Sequence, residues 1–376
     1  MSEPYYRLHR PEQLITPCLL VYPQVVRANL EQSIAIAGGP ARLRPHVKTH
    51  KTAEIVAMAL DRGIAKHKCA TLSEVRLLAN CGVPDVLIAY PLVGPAIHKF
   101  VEIVQEFPQT RFSAVVDHLE PARLLSEQCS KHGVFLDVLV DIDCGMHRTG
   151  VPAGPAAAQL YEFLSQATSL RAAGLHVYDG HNHQPSLDER RAAVASLMQP
   201  VADLVRNLQS AGHAVPKLVC GGTPTFPVFA NLPDLELDVD IELSPGTCFL
   251  SDHGYGTNYP DIAGLHPAAL VMTRVVSKTA ENLLTLDLGH KAIAADPPAG
   301  RRCHFPELPD AREVKQNEEH LVIETARAAE FAIGQELYAV PTHICPTVAL
   351  HAAMFAVADN QLVESWQVAA RDRIYH

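Results

Sequence analysis

Short apolar runs rich in β-branched residues recur along the first two thirds of the chain. A run at 17–22 precedes a stretch of helical spacing at 24–37, and eight further runs follow. Most of the gaps between them place apolar residues at i, i+3 and i+4, which predicts amphipathic helices. The eight predicted strands are 42–47, 65–70, 85–90, 111–116, 136–142, 172–178, 216–221 and 238–243.

The alternation of apolar strands with helices is typical of a parallel sheet that helices cover on its outer face. Eight such units match a (β/α)8 barrel in number and length, and a doubly wound sheet is the second interpretation. The sequence therefore predicts an α/β fold with a barrel over 18–252. The rest of the chain, 1–17 together with 253–376, is predicted to form an all-β domain, because its strands follow one another without a helix-length segment: 268–278, 283–289, 320–325, 336–341 and 361–371.

Composition narrows the class of protein. Lys and Arg number 31 against 41 Asp and Glu, so the net charge is −10, which argues against a nucleic-acid-binding surface. No apolar run approaches the roughly 20 residues that span a bilayer, and the polar start of the chain lacks a signal peptide's apolar region. The nine cysteines include no CxxC pair and are typical of reduced thiols. We therefore expect a cytoplasmic, soluble, acidic protein.

Residues with candidate chemistry follow the predicted barrel strands, whose carboxyl ends form the active site in such barrels. The first strand leads into Lys48, whose amine, if partly desolvated, suits imine chemistry. The fifth leads into a glycine-flanked segment with Arg148, which can bind an oxyanion. The sixth ends at Tyr178, which can stack on a planar ring. His181 and His183 come next and can move protons or hold a metal ion.

Glycine turns follow the last two predicted barrel strands. Gly221-Gly222-Thr223 follows the seventh strand, and Ser244-Pro245-Gly246-Thr247 follows the eighth. Such turns present backbone N–H groups to an anion, and barrels often bind phosphate in the loops after strands seven and eight. Together the two turns predict a phosphorylated cofactor or substrate.

A histidine and a cysteine lie two residues apart in the predicted β domain. In a strand, His343 and Cys345 would share a face and could approach one metal ion. Imidazole with thiolate favours zinc over magnesium or calcium. The pair by itself is equally consistent with a buried cysteine beside a hydrogen-bonded histidine.

Taken in order along the chain, these motifs resemble the D-threonine aldolase and D-serine dehydratase family. The members of that family are pyridoxal-phosphate enzymes with an alanine-racemase-like fold. The resemblance covers nearly the whole chain and rests on RPHVKTHK at 44–51, CAT at 69–71 with Glu74, GMHRTG at 145–150, YDGH at 178–181, GGTPT at 221–225, SPGT at 244–247 and HICPT at 343–347.

The resemblance implies a barrel that binds pyridoxal phosphate, a following β domain, and a homodimer. It implies that Lys48 carries the cofactor covalently, that Arg148 lies beside the phenolic oxygen, and that Tyr178 stacks on the pyridine ring. It also implies a divalent metal, with zinc favoured and manganese or magnesium as alternatives. The residues it assigns to the phosphate are Gly221, Gly222, Thr223, Gly246 and Thr247, and those it assigns to the metal are His343 and Cys345.

Two positions depart from the family pattern. Alanine racemases have an arginine facing the pyridine nitrogen where this chain has Ser244, which counts against simple racemase chemistry. D-threonine aldolases commonly have an aspartate as the second metal ligand. This chain has Cys345 there, as do D-serine dehydratases that use zinc. The runs at 178–180 and 287–291 are closer to the aldolase branch.

The activity implied by the resemblance is that of a lyase for D-amino acids with a 3-hydroxyl group. Cleavage to glycine and an aldehyde is favoured over dehydration to a 2-oxo acid and ammonia. The candidate bases for the hydroxyl group are His50, His181 and His183, and the sequence does not rank them. A racemase, a non-catalytic protein that binds pyridoxal phosphate, and a phosphate-binding barrel unrelated to that cofactor are the remaining alternatives.

Overall fold

A computed structural model describes residues 4–232 and 237–376. The first three residues of the predicted β domain lie outside these ranges. The strands are β1 (Cys18–Val21), β2 (Lys66–Cys69), β3 (Asp85–Ile88), β4 (Arg111–Val116), β5 (Leu136–Asp143), β6 (Val151–Pro152), β7 (Leu170–Val177), β8 (Lys217–Cys220), β9 (Asp240–Leu243), β10 (Ala269–Ser277), β11 (Leu283–Leu286), β12 (Cys303–His304), β13 (Arg312–Gln316), β14 (Leu321–Glu324), β15 (Glu336–Pro341), β16 (Ala353–Ala358) and β17 (Gln361–Gln367).

The helices alternate with the strands up to β9 and become short and few after it. Short 3-10 turns lie at Pro11–Gln13, Pro40–Arg42, Val47–Thr49, Pro260–Ile262 and Ala328–Glu330. The α-helices are α1 (Pro23–Ala37), α2 (Ala53–Leu60), α3 (Leu72–Asn80), α4 (Pro95–Glu106), α5 (Leu119–His132), α6 (Pro155–Gln166), α7 (Leu187–Ser210), α8 (Phe226–Ala230), α9 (His253–Asn258) and α10 (Ile344–Leu350).

One sheet is parallel and carries the candidate site. Its strands run in the order β2-β3-β4-β5-β7-β8-β9, which is their order along the chain, and short β6 pairs with β5. A doubly wound sheet would reverse its strand order at a switch point, so this order confirms the barrel interpretation. Its interior is filled by one apolar side chain from each of five neighbouring strands: Leu87, Val115, Leu139, Ala173 and Val219.

The strand predicted at 42–47 is not formed, although the segment does close the barrel. Leu43 bridges Leu243 of β9, and His46 bridges Lys68 of β2. The backbone N–H of Lys68 donates to the carbonyl of Pro45 at 2.8 Å. Pro45 has no N–H to donate, and the chain turns into a 3-10 helix at Val47, so the pairing stays too short for a regular strand.

The other sheet has nine strands and mixed pairing. Strands β13-β14-β11-β10-β1-β16-β17 follow one another, and β15 pairs with both β10 and β12. Three of its strands, β12, β13 and β16, were not predicted. Its core includes alternate residues of neighbouring strands. For example, Leu20 and Tyr22 of the β1 segment belong to the same apolar cluster as Leu270 and Met272 of β10. Side chains at i and i+2 share a face, which explains this spacing.

The chain divides into two compact units that differ slightly from the predicted domains. One unit comprises 1–33, 49–55 and 247–371, and the other comprises 34–48, 56–246 and 372–376. Strand β1 belongs to the nine-stranded sheet, because it pairs with β10 and β16, whereas the predicted barrel began at residue 18. We call the two units the β unit and the barrel unit.

Two further features concern the whole described chain. All nine cysteines are free thiols, as the sequence predicts. Within residues 4–232 and 237–376, no helix combines the length and apolar character that crossing a membrane requires.

Candidate active site

A cavity of about 510 Å³ opens where the barrel strands end at their carboxyl side. Its volume is in the range of small-ligand sites. The lining residues come from the ends of β2, β3, β5 and β7 and from the segment that closes the barrel. They are His46, Lys48, Lys68, Ala70, Ala89, Tyr90, Pro91, Arg148, Thr149, His176 and Tyr178.

Three basic side chains surround the ring of Tyr178 in this cavity. Lys48 Nζ lies 5.9 Å from the ring centroid, Lys68 Nζ 5.4 Å, and Arg148 Cζ 5.1 Å. The sequence had predicted Lys48, Arg148 and Tyr178 as one site, and the structure brings them together. So much positive charge around one planar ring favours an anionic ligand that contains a ring of its own.

Lys48 is held by the segment on which it lies. It belongs to the 3-10 turn Val47–Thr49, and its backbone N–H donates to His46 Nδ1 at 3.1 Å. His46 is itself fixed, because its backbone N–H donates to the carbonyl of Pro245 at 2.9 Å. The backbone at Lys48 is therefore anchored to both neighbouring strand ends, β2 and β9.

The loop that carries Arg148 is anchored by aspartates. Asp143 accepts hydrogen bonds from the N–H groups of Gly145 and His147, each at 3.0 Å. The Thr149 hydroxyl donates to Asp141 at 3.0 Å. Gly150 has φ +98°, and a Cβ there would lie 2.5 Å from the Asp143 nitrogen, so only glycine fits. These contacts direct Arg148 towards the cavity.

Two glycines make room for the Tyr178 ring. A Cβ on Gly180 would overlap the ring, lying 2.6 Å from its Cζ atom, and a Cβ on Gly222 would lie 3.2 Å from its Cε2 atom. Beyond the ring, the buried carboxylate of Asp179 accepts from Thr225 Oγ1 at 2.8 Å and from Asn182 Nδ2 at 2.9 Å. The position of the Tyr178 ring therefore depends on the absence of side chains at both glycines.

We predict that Gly180→Ala lowers the affinity for the cavity's ligand without unfolding the protein. Overpacking costs about 1–3 kcal/mol, which corresponds to roughly 10- to 100-fold in a dissociation constant. Gly256→Ala is the matched control, since a Cβ at that exposed glycine would meet nothing within 4 Å. Ligand titration followed by absorbance measures both variants, and equal affinities for the two would contradict this description of the cavity.

The two predicted phosphate turns contact each other at the end of the barrel. The N–H of Gly246 donates to Thr223 Oγ1 at 3.2 Å, and the N–H of Gly222 donates to Thr225 Oγ1 at 3.1 Å. The structure thus brings the two turns together, and these two N–H groups donate to threonine oxygens. That the turns bind a phosphate stays a prediction.

Ser244 supplies a further observation about the expected cofactor. Its hydroxyl oxygen is buried and has no hydrogen-bond partner among the described residues. An unpaired buried hydroxyl is costly unless a ligand completes it. An acceptor or donor in a bound ring, such as the pyridine nitrogen of pyridoxal phosphate, would do so. With the basic groups around Tyr178 and the two glycine turns, the barrel unit fits that cofactor.

A buried polar chain that sequence reasoning missed lies on the cavity wall. Asp141 of β5 and His176 of β7 are register partners, and Asp141 Oδ1 lies 2.7 Å from His176 Nδ1. His176 Nε2 lies 3.4 Å from Lys68 Nζ. The available signal was the ionisable residues within these three strands, because buried parallel strands are normally continuous apolar runs.

Burial and neighbouring charges shift the pKa values of Lys68, His176 and Asp141. Burial and the positive charge of Lys48 lower the pKa of Lys68 to about 7, against the opposing charge of Asp141. Burial and the charge of Lys68 also lower the pKa of His176. Asp141 behaves oppositely: burial would raise its pKa, but His176, Thr149 and Lys68 together lower it. A carboxylate, a neutral imidazole and a partly neutral amine are therefore adjacent near neutral pH.

The three predicted hydroxyl bases do not line the cavity. His183 is exposed. His181 is partly buried beside Gly145, and its buried Nδ1 atom has no hydrogen-bond partner in the part of the chain that the structure describes. His50 is buried in the β unit, where its Nδ1 lies 3.3 Å from the Thr52 hydroxyl. Among the described residues, the titratable groups that do line the cavity are His46, Lys48, Lys68, Tyr90, Arg148, His176 and Tyr178.

The predicted metal pair is in contact, but not in a strand as expected. Strand β15 ends at Pro341, His343 is the N-cap residue of α10, and Cys345 lies in its first turn. Pro346 follows in the same turn, where a missing N–H costs little, and this favours a helix over a strand. The two side chains nevertheless form a hydrogen bond.

Several groups of the β unit surround this pair. Cys345 Sγ lies 3.1 Å from Thr49 Oγ1 and 3.4 Å from Thr247 Oγ1, and His343 Nδ1 lies 2.5 Å from Asp296. Burial would lower the pKa of His343, but Cys345 and Asp296 raise it to about 9. In the described part of the chain, no group of three or more His, Cys, Asp and Glu side chains is arranged to hold a metal ion.

Comparison with known proteins agrees with this geometry. The alanine racemase N-terminal domain family matches residues 21–239, and the serine dehydratase domain family matches residues 268–357. A D-threonine aldolase of Arthrobacter sp is 29% identical over 95% of this chain and 92% of its own length. A D-serine dehydratase of Dictyostelium discoideum is 25% identical over 94% of this chain and 96% of its own.

A solved structure shows the same likeness over both units. The crystal structure of D-threonine aldolase from Filomicrobium marinum matches with a TM-score of 0.87 and 26% identity, covering 97% of each chain. The resemblance stated from the motifs is thus confirmed along the chain. This protein belongs to the alanine racemase N-terminal domain family.

Proposed function

We propose that this protein is a pyridoxal-phosphate-dependent, metal-assisted lyase of D-3-hydroxy amino acids that cleaves the Cα–Cβ bond as a D-threonine aldolase does. The observation that carries the proposal is the cavity in which Lys48, Lys68 and Arg148 surround Tyr178. The substrate class rests on the relatives, which include a D-threonine aldolase and a D-serine dehydratase that match nearly the whole chain.

Several residues of the barrel unit would hold the cofactor, each at a different part of it. Pyridoxal phosphate, when bound, supplies an aldehyde that reacts with amines and a ring that accepts electrons from bonds to Cα. The Lys48 amine would hold the cofactor at that aldehyde, and the ring of Tyr178 would provide a planar surface for it. The buried hydroxyl of Ser244, which has no partner among the described residues, would complete a hydrogen bond to it. The N–H groups of Gly222 and Gly246 would hold its phosphate.

The β unit would contribute the metal. A divalent ion, when bound, is a Lewis acid that polarises an oxygen atom. His343 and Cys345 would hold it, with zinc favoured by their imidazole and thiolate groups and manganese or magnesium as alternatives. A histidine binds metal through its neutral form, so the proton that Cys345 and Asp296 favour on His343 must leave first. Metal affinity is therefore expected to rise with pH.

Dehydration is the second candidate function, and two specific observations favour it. The serine dehydratase domain family matches residues 268–357, the segment that contains the metal pair. Cys345 in place of an aspartate is also the ligand found in zinc-using D-serine dehydratases, as the resemblance implies. In that reaction a base removes the Cα proton, and the 3-hydroxyl group leaves as the Cα–Cβ double bond forms. Both functions use the same cavity.

Product analysis separates the two candidates. We expect the purified protein, given pyridoxal phosphate, Zn²⁺ or Mn²⁺ and D-threonine, to release glycine and acetaldehyde in equal amounts. A chelator should abolish turnover, and added metal should restore it. L-Threonine is the matched control and should give no product. Release of 2-oxobutanoate and ammonia would assign the dehydratase instead, and no product under any metal condition would overturn both functions.

We also propose that the protein is a homodimer and that it is cytoplasmic. The family resemblance supports a homodimer, which size-exclusion chromatography with light scattering would test. The nine free thiols support a cytoplasmic location, since disulfides persist mainly in oxidising compartments.

A further inference from the structure

Lys68 lies in the cavity next to the predicted cofactor lysine, yet no family motif assigns it a role. It projects from β2, its side chain is buried, and its Nζ lies 5.4 Å from the Tyr178 ring centroid. Lys66, two residues earlier on the same face of β2, instead pairs with Glu242 at 2.9 Å. A buried lysine is expensive unless its charge is compensated or its proton is given up.

The surroundings of Lys68 favour loss of its proton near neutral pH. Burial and the charge of Lys48 lower its pKa to about 7, and Arg44 acts in the same direction. The charge of Asp141 opposes them. His176 is hydrogen-bonded to the Asp141 carboxylate through one ring nitrogen and to Lys68 through the other. The titratable and charged groups that face Lys68 are Arg44, His46, Lys48, Asp141, Arg148, His176, Tyr178 and Cys220.

The other groups of the cavity are less suited to carry a proton. Lys48 is committed to the cofactor under the proposed function. His46 Nδ1 accepts the backbone N–H of Lys48, and His176 is bound through both ring nitrogens. Lys68 thus combines a position in the cavity with an amine that exchanges its proton in the working range, which is the requirement for a general base.

We propose that Lys68 is a second catalytic amine, which accepts the proton of the substrate's 3-hydroxyl group, and that His176 and Asp141 are positioning residues for it. This inference rests on the proposed function. In the cleavage direction the O–H bond breaks and its proton binds the lone pair of Lys68 Nζ. The O–H electron pair becomes the second bond of the aldehyde carbonyl. The electron pair of the broken Cα–Cβ bond remains with Cα, which takes up a proton as glycine forms.

The first part of the test measures the amine itself. Cofactor-free protein is labelled with trace acetic anhydride over a pH series, and peptide mass spectrometry gives the reactivity of each lysine. We expect the Lys68 midpoint near pH 7, well below the ordinary lysine value of about 10.4. A Lys68 midpoint at the ordinary value would overturn the proposal without bearing on the lyase activity.

The second part compares variants loaded with pyridoxal phosphate. Lys68→Met and Lys68→Arg should keep the cofactor on Lys48 but lose about 10²- to 10⁴-fold in kcat, because neither side chain accepts a proton at neutral pH. In both variants, the fall of kcat on the acidic side of its pH profile (the acidic limb) should disappear. His176→Gln should shift that limb rather than remove it. Lys66→Met, on the same strand face, is the control and should keep the wild-type profile.

The possible results distinguish the catalytic role of Lys68 from the proposed lyase function. A wild-type protein that cleaves D-threonine, with a Lys68→Met variant of equal kcat and unchanged pH profile, overturns the role of Lys68 alone. A wild-type protein without any lyase product overturns the proposed function and the catalytic role together. Loss of cofactor from Lys68→Met, detected by absorbance, would show that Lys68 binds the cofactor rather than moving a proton, and would also overturn the proposal.

Discussion

Replacement of Lys48 by alanine is expected to abolish covalent attachment of pyridoxal phosphate and to lower kcat/KM for D-threonine by on the order of 10³-fold or more. The reason is that Lys48 is the amine assigned to the aldehyde, and it lies 5.9 Å from the centre of the Tyr178 ring in the cavity. Visible absorbance of the dialysed protein measures attachment, and glycine release measures turnover.

Lys51→Ala provides a matched control in the same segment. The Lys51 amine donates to the carbonyl of Ala370 at 3.4 Å within the β unit, so its loss should leave the attached cofactor in place. A Lys48→Ala protein that retains the coloured cofactor after dialysis, and turns over at the wild-type rate, would contradict the assignment.

Glu242→Gln is expected to lower the free energy of unfolding by up to about 3 kcal/mol, because a buried charge loses one of its two carboxylate partners. The charge in question is the guanidinium of Arg44, which has no exposed surface. Arg44 Nε lies 2.5 Å from Glu242, and Arg44 Nη1 lies 2.7 Å from Asp85. Urea unfolding at pH 7 measures the change.

The same contact predicts the pH dependence of stability. Burial would raise the pKa of Glu242, but the charge and hydrogen bonds of Arg44 lower it to about 2 from an ordinary value of 4.5. Because the pKa is depressed in the folded state, the stabilisation is fully present above about pH 4.5 and is lost as pH falls towards 2. Glu242→Gln should flatten that dependence. Glu318→Gln, an exposed partner of Lys291, should leave stability unchanged, and an equal effect of both variants would contradict this account.

The order of the barrel elements could be predicted because their periodicity is strong and local. The gap between the predicted strands 65–70 and 85–90 has helical spacing, and α3 is found there at Leu72–Asn80, where Thr71 caps it by accepting the N–H of Glu74. The pattern at 42–47 could not predict the irregular structure of this segment. The segment pairs only briefly with β2 and β9, and this depends on Pro45 and on strands that are distant in the sequence. A predicted strand at one edge thus became the closing segment of the barrel.

The candidate site was only partly predictable for a similar reason. Lys48, Arg148 and Tyr178 each follow or end a predicted strand and carry recognisable chemistry, so their convergence followed from barrel geometry. His343 and Cys345 are in contact, although the turn of a helix and not a strand joins them. Lys68 and His176 were missed because they lie within predicted strands, where each was counted as part of a run. Their contact depends on which face each strand turns towards the cavity.

Borohydride reduction of the wild-type protein loaded with pyridoxal phosphate, followed by peptide mapping, tests the central claim most directly. The central claim is that the cavity around Tyr178 is a pyridoxal-phosphate site and that Lys48 is its attachment point. The account predicts one modified peptide, with the reduced cofactor on Lys48. Modification of Lys68 in place of Lys48, or a protein that takes up no cofactor at all, would contradict it.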